Sequence, residues 1–147
     1  NGITSLVGAY VIKTDSMGDT LWTKVIEKGD QSGFYSVIED SNKDYVFAGL
    51  TAIALPPFSD AYLLKLDSSG NKILEKQFNY QPNASDEARA VALAKDGGYV
   101  MCGITTPGLY VIKTDANGLI VGLNDFNVKS KPIFNVYPNP TKEQFVL

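Results

Sequence analysis

Apolar residues come in short bursts along this chain, and each burst is closed by a turn. Tyr10–Ile12, Tyr45–Ala48, Tyr62–Leu64, Tyr99–Cys102 and Tyr110–Ile112 set apolar side chains next to one another, with Asp, Asn, Ser or Gly following within a few residues. Bursts this short, bounded by turn residues, favour strands over helices. Adjacent apolar positions also put apolar groups on both faces of a strand, which suits a sheet covered on two sides. Around the middle of the chain the pattern predicts four strands: Tyr35–Glu39, Tyr45–Thr51, Ala61–Asp67 and Lys72–Phe78. Tight turns around Ser41–Asp44 and Ser68–Asn71 join them in pairs.

The pattern repeats. Tyr10–Asp15 and Tyr110–Asp115 both read YVIKTD, and Tyr62–Asp67 reads YLLKLD, so the copies start 52 and 48 residues apart. Each runs into a turn containing Gly: Asp15–Asp19, Asp67–Asn71 and Asp115–Leu119. Each follows a Gly-x-Thr ending, at Gly2-Ile3-Thr4, Gly49-Leu50-Thr51 and Gly103-Ile104-Thr105. Asp at the head of such a turn accepts backbone hydrogen bonds, and Gly three residues later takes positive φ, the chemistry of a type I turn closed by a Gly bulge. Four strands per unit of about fifty residues describe a β-propeller blade. The expected fold is therefore all-β, a partial β-propeller of four-stranded antiparallel blades over residues 1–122, holding part of one blade, one full blade and most of a third. Repeat units need neighbours to bury their faces, so the chain is expected to be a piece of a longer protein. No signal peptide opens at Asn1, which fits a processed or internal start.

Composition narrows the chemistry. There is no His, which removes the commonest general base and most catalytic zinc sites. The single Cys102 cannot form an internal disulfide and, inside the run YVMCGI, is expected to be a buried packing residue. A net charge of −3 without a basic run gives no footprint for nucleic acid. No apolar stretch approaches the ~18 residues of a membrane span. No catalytic residue, metal site or cofactor is expected.

The end of the chain differs from the rest. Residues 123–132, LNDFNVKSKP, are polar and aperiodic and read as a linker. Then Val136 is followed by Tyr137, Pro138, Asn139, Pro140 and Thr141, with Phe145 a few residues on. The two prolines fix φ and push Tyr137 and Asn139 towards extended conformations, and Asn139 can close a turn. This stretch resembles the opening of the C-terminal sorting domain of the type IX secretion system, which Bacteroidota carry behind secreted or cell-surface cargo. The resemblance implies a β-sandwich domain beginning at residues 133–147, a location outside the cell, and the type IX secretion machinery as a partner. The family's domain is several times longer than these fifteen residues, so only its entrance is present.

The segment DSMGDTLW, Asp15–Trp22, resembles the docking motif of quinoprotein propellers and, with a spacing one residue off, the Asp box of sialidase-like propellers. Only the first unit keeps the Trp; Leu74 and Gly122 stand in its place in the others. Trp22 is expected to pack, with no quinone or glycoside chemistry attached. Asp15 and Asp19 could offer oxygen ligands to calcium, but a hairpin turn explains them without an ion. Lys13, Lys65 and Lys113 recur at one strand position and are expected to lay their stems on a neighbouring blade with the ammonium in water. Ser16 and Thr20 lie in Asp-Ser/Thr-apolar triplets that resemble O-glycosylation sites of the same bacteria. The loop Ala54–Asp60, with Phe58 at its apolar tip, is the candidate contact surface.

Together these features point to a non-enzymatic module of a secreted or surface protein, serving adhesion or recognition of a glycan or protein ligand. A scaffold for a hydrolase whose catalytic residues lie elsewhere, or a plain structural spacer, are the rival readings.

Overall fold

A computed structural model describes residues 7–53, 58–80, 82–106 and 108–121. The described residues form strands and turns with no helix. Strands β1 (Ala9–Thr14) and β2 (Thr20–Ile26) pair as sheet one. Strands β3 (Gln31–Glu39), β4 (Tyr45–Ile53), β5 (Phe58–Leu66) and β6 (Lys72–Phe78) form sheet two in sequence order. Strands β7 (Asp86–Leu93), β8 (Tyr99–Thr105) and β9 (Gly108–Lys113) form sheet three. Every pairing within the sheets is antiparallel. The all-β expectation holds, and the four expected strands of the middle unit are all present. The described residues form no closed ring of sheets. The linker at 123–132, the segment 133–147 with Tyr137, Pro138, Asn139, Pro140 and Thr141, and the first Gly-x-Thr ending lie outside the described residues.

The turns fold as their residues dictate. Asp15, Asp67 and Asp115 each accept two backbone N–H bonds on one carboxylate oxygen, from the residues two and four places on, at 2.8–2.9 Å. Gly18, Gly70 and Gly118 then take φ values of 91°, 81° and 72°, where a Cβ would be strained. The strand registers slip by one residue beside the first two of these turns, at Lys13/Thr14 and Lys65/Leu66.

The three sheets stack face on face. Val11, Trp22 and Ile26 of sheet one pack on Phe47, Tyr62, Leu64 and Leu66 of sheet two. On the other side Val46, Ala48, Ala61 and Leu63 pack on Ala88, Val91, Tyr99 and Met101 of sheet three. Adjacent apolar residues in β5 thus feed two cores, Tyr62 and Leu64 one way, Ala61 and Leu63 the other, all four fully buried. Among the described residues, only sheet two is covered on both faces. Ser36 and Trp22 add polar ties: Val91 N donates to Ser36 Oγ at 3.3 Å, and Trp22 Nε1 donates to Ser68 O at 3.0 Å.

Three expectations need correction. Cys102 is exposed, not buried, because strand alternation turns Met101 into the core against sheet two and Cys102 to the opposite face, which no sheet of the described residues covers. Phe58 is not a loop tip; it pairs with Ile53 as the first residue of β5. The recurring lysines do not share one role. Lys13 reaches sheet two, donating to Ser68 O at 3.1 Å and lying 5.1 Å from the Tyr45 ring centre. Lys65 is withdrawn from water between Asp40, at 2.8 Å, and Asp44, at 3.0 Å. Lys113 bonds Asp96 of its own sheet at 2.7 Å.

Candidate functional site

The Gly of the second and third Gly-x-Thr endings, Gly49 and Gly103, shapes its strand pair. Gly49 pairs with Phe34 across β3–β4, and Gly103 pairs with Ala88 across β7–β8. Immediately after each pair the register slips, leaving Tyr35 and Arg89 as extra residues. These are β-bulges, which bend a strand and re-aim a side chain. A Cβ on Gly49 would lie 1.8 Å from the carbonyl oxygen of Gly33, and one on Gly103 would lie 1.8 Å from that of Glu87. Only glycine permits either bulge.

The two bulges bring their extra residues together across the sheet boundary. The Arg89 guanidinium carbon lies 4.3 Å from the centre of the Tyr35 ring, a cation–π distance. Glu87, two residues before Arg89 and partly buried, forms an ion pair with it. Tyr35 is 48% exposed. Partial burial, and then the neighbouring Glu87 carboxylate, push its phenol pKa up, with Arg89 opposing. A groove of about 290 Å³ runs beside Tyr35, walled by Tyr10, Phe34, Val37 and Phe47. The patch offers an aromatic face, a cationic donor and an acidic acceptor on rigid strands. That combination suits binding of a polar or aromatic surface.

Other sequence candidates fall elsewhere. Ser16 and Thr20 are both exposed on the β1–β2 hairpin, beside Met17, which is 84% exposed. Asp15, the first calcium candidate, has an oxygen committed to its own turn. Among the described residues, no three His, Cys, Asp or Glu side chains gather closely enough to hold a metal ion. Trp22 packs edge-on against Tyr45 at 6.2 Å, as a packing residue should. Of the loop at Ala54–Asp60, residues 54–57 lie outside the described residues, and Asp60 accepts a bond from Asn79 at 2.8 Å.

Asp86 escaped the sequence reading. It is 1% exposed, and its Oδ2 accepts the backbone N–H of Tyr80 at 2.8 Å, pinning the chain that crosses from sheet two to sheet three. Ser32 holds the same station one unit earlier, where its hydroxyl donates to Ile26 O and accepts from Ala9 N. Lining up Gly49 with Gly103 places Ser32 opposite Asp86 and exposes the shared role. A cavity of about 490 Å³ lies beside Asp86 and Tyr110, walled by Phe78, Tyr80, Ile112 and Ile120. The Tyr110 hydroxyl and Asp86 Oδ1 have no partner there, yet both atoms are closed off from solvent.

No protein-family model and no curated protein matches the chain.

Proposed function

We propose that this chain is part of a non-enzymatic recognition module of a secreted or cell-surface bacterial protein. Its three sheets are consecutive blades of propeller type, and a protein or glycan ligand contacts the Tyr35–Glu87–Arg89 patch. Residues 133–147 open a sorting domain that the type IX secretion machinery reads. The recognition reading rests on one observation: two glycine-enforced bulges set Tyr and Arg side by side on rigid strands. Those are the side chains that most often carry binding energy at interfaces, and sites on strands hold their geometry better than sites on loops. The sorting reading rests on Tyr137–Thr141 and the linker before them. The exposed Ser16 and Thr20 remain accessible for O-glycosylation.

Two experiments test these parts separately. With the full protein displayed on cells, Tyr35→Ala combined with Arg89→Ala should lower binding to a panel of immobilised glycans and host proteins at least tenfold at equal surface abundance. Unchanged binding would remove the patch from the proposal. Deletion from Ile133 onward should trap the protein in the periplasm of a Bacteroidota host, as read by protease shaving of intact cells. Normal surface arrival would refute the sorting assignment.

A further inference from the structure

The third of the repeated turns carries a chemistry that the other two lack. Just before the turn glycine the three copies have Met17, Ser69 and Asn117, a thioether, a hydroxyl and an amide, so the turn makes no demand on that side chain. The glycine itself is demanded: Gly118 sits at φ 72°, where a Cβ would be strained. Among the described residues Asn117 is the one asparagine followed by glycine. Met17, Ser69 and Asn117 are all exposed. Ser69 is exposed although sheet two is covered on both faces, so exposure at this place belongs to the hairpin tip and does not depend on what lies beside sheet three.

We infer that Asn117 is a site of spontaneous deamidation and backbone isomerisation, gated by Asp115. The Gly118 nitrogen attacks the side-chain carbonyl carbon of Asn117. The new C–N bond closes a succinimide ring, the old bond to the amide NH2 breaks, and ammonia leaves with the proton given up by the Gly118 N–H. Water then opens the ring at either carbonyl, giving aspartate or isoaspartate. Glycine favours closure because no side chain crowds the attacking nitrogen. In the closed turn that nitrogen is held, its N–H donating to Asp115 O at 3.1 Å. One Asp115 carboxylate oxygen also accepts the N–H groups of Asn117 and Leu119, at 2.9 and 2.8 Å. Ring closure therefore waits for the turn to open, a local fluctuation that does not require global unfolding, and Asp115 sets how often that happens.

The isoaspartyl product lengthens the main chain by a carbon atom between residues 117 and 118. A single carboxylate oxygen then no longer spans the two N–H groups it holds. Gly118 fits closely against sheet two, where a Cβ would lie 2.7 Å from Lys76 Cγ and 3.3 Å from Leu74 Cδ2. Lengthening the turn displaces it from that seat, so the reaction loosens the boundary between sheets two and three.

The test ages the purified 147-residue chain at mildly alkaline pH, folded and in guanidinium. Peptide mapping by mass spectrometry follows the amide-to-acid exchange at residue 117, and isoaspartate-specific carboxyl methylation measures the isomer. Folded protein should convert at Asn117 more slowly than the unfolded chain, yet ahead of Asn42 and Asn71, which lie in turns but precede lysine. Asp115→Ala should speed conversion of the folded protein several-fold and leave the rate in guanidinium unchanged; Asp115→Ser replaces it if circular dichroism shows that the sheets are lost. In the isolated isoaspartyl fraction, amide exchange should quicken in β9 and stay unchanged in β1. Asn117 intact in the folded protein while the unfolded chain converts fully would overturn the inference. So would conversion no faster than at Asn42 and Asn71, a folded rate indifferent to Asp115, or unaltered exchange in β9. None of these results depends on secretion or ligand binding, so those proposals stand or fall separately.

Discussion

Gly33 lies beside the β3 bulge with its carbonyl oxygen against Gly49, and replacing each glycine with alanine should move stability in opposite directions. At Gly49 the added methyl would sit 1.8 Å from the Gly33 carbonyl oxygen, well inside the ~3 Å floor of real contacts. Backbone, not a mobile side chain, is in the way, so the carbonyl must retreat by more than an ångström. Straining backbone angles that far costs about 4 kcal/mol, and losing the bulge would release Tyr35 from Arg89. Gly49→Ala should therefore destabilise by about 3–5 kcal/mol. At Gly33 a Cβ would meet nothing within 4 Å and φ is not in the left-handed region. Gly33→Ala should stabilise by about 0.4–1 kcal/mol, because it narrows the unfolded ensemble and fits the strand. Urea unfolding followed by circular dichroism at low protein concentration reads both. A Gly49→Ala cost under ~1 kcal/mol would refute the steric account of the bulge. A Gly33→Ala loss of similar size to the Gly49 loss would show that any side chain near this bend is harmful, irrespective of contact.

Leu63→Ala should cost about 3 kcal/mol by cavity formation, while Val111→Ala, at the equivalent outer position, should change stability by less than ~0.5 kcal/mol in dilute thermal melts; equal costs would contradict the exposure pattern. Burial of Asp40 opposes its ionisation, but hydrogen bonds from Lys65 and from the backbone N–H groups of Asp44 and Asn42 prevail and hold its pKa below the usual value. A depressed folded-state pKa gives stability that is present above the unfolded value and lost as pH falls through the folded one, so wild type should lose stability below about pH 4 more steeply than Asp40→Asn, as read by urea midpoints across pH. Lys65→Met strands two mostly buried carboxylates and should cost roughly 2–3 kcal/mol near neutrality, again by urea midpoint. Trp22→Phe removes the donor to Ser68 O and should cost about 1 kcal/mol in denaturant melts followed by circular dichroism.

Strands and turns were legible because local chemistry dictates them. The Asp and Gly of each turn specify its geometry, and short apolar bursts specify extended chain whatever lies beside it. Burial was not legible in the same way. Cys102 and Met101 read alike in sequence, and what separates them is that, among the described residues, a sheet covers Met101's side and none covers the side of Cys102. Lys65 looked like its repeat partners until the Asp40–Asp44 turn was placed beneath its ammonium. The Tyr35–Arg89 patch was hidden because both residues are extras in their strands. Gly49 and Gly103 gave the clue, but as one letter of a recurrent ending and not as the cause of a bulge.

The linear order of contacts has a consequence for how the molecule comes apart. One apolar cluster joins sheet one to sheet two and another joins sheet two to sheet three. Cooperativity of this kind passes between nearest neighbours, as links along a chain, and among the described sheets each outer one can open without disturbing the other. Amide protons in β4 and β5 should then exchange slowest, at the cost of separating both clusters. Those of β1 and β9 should exchange by shallow fraying, set by one cluster alone.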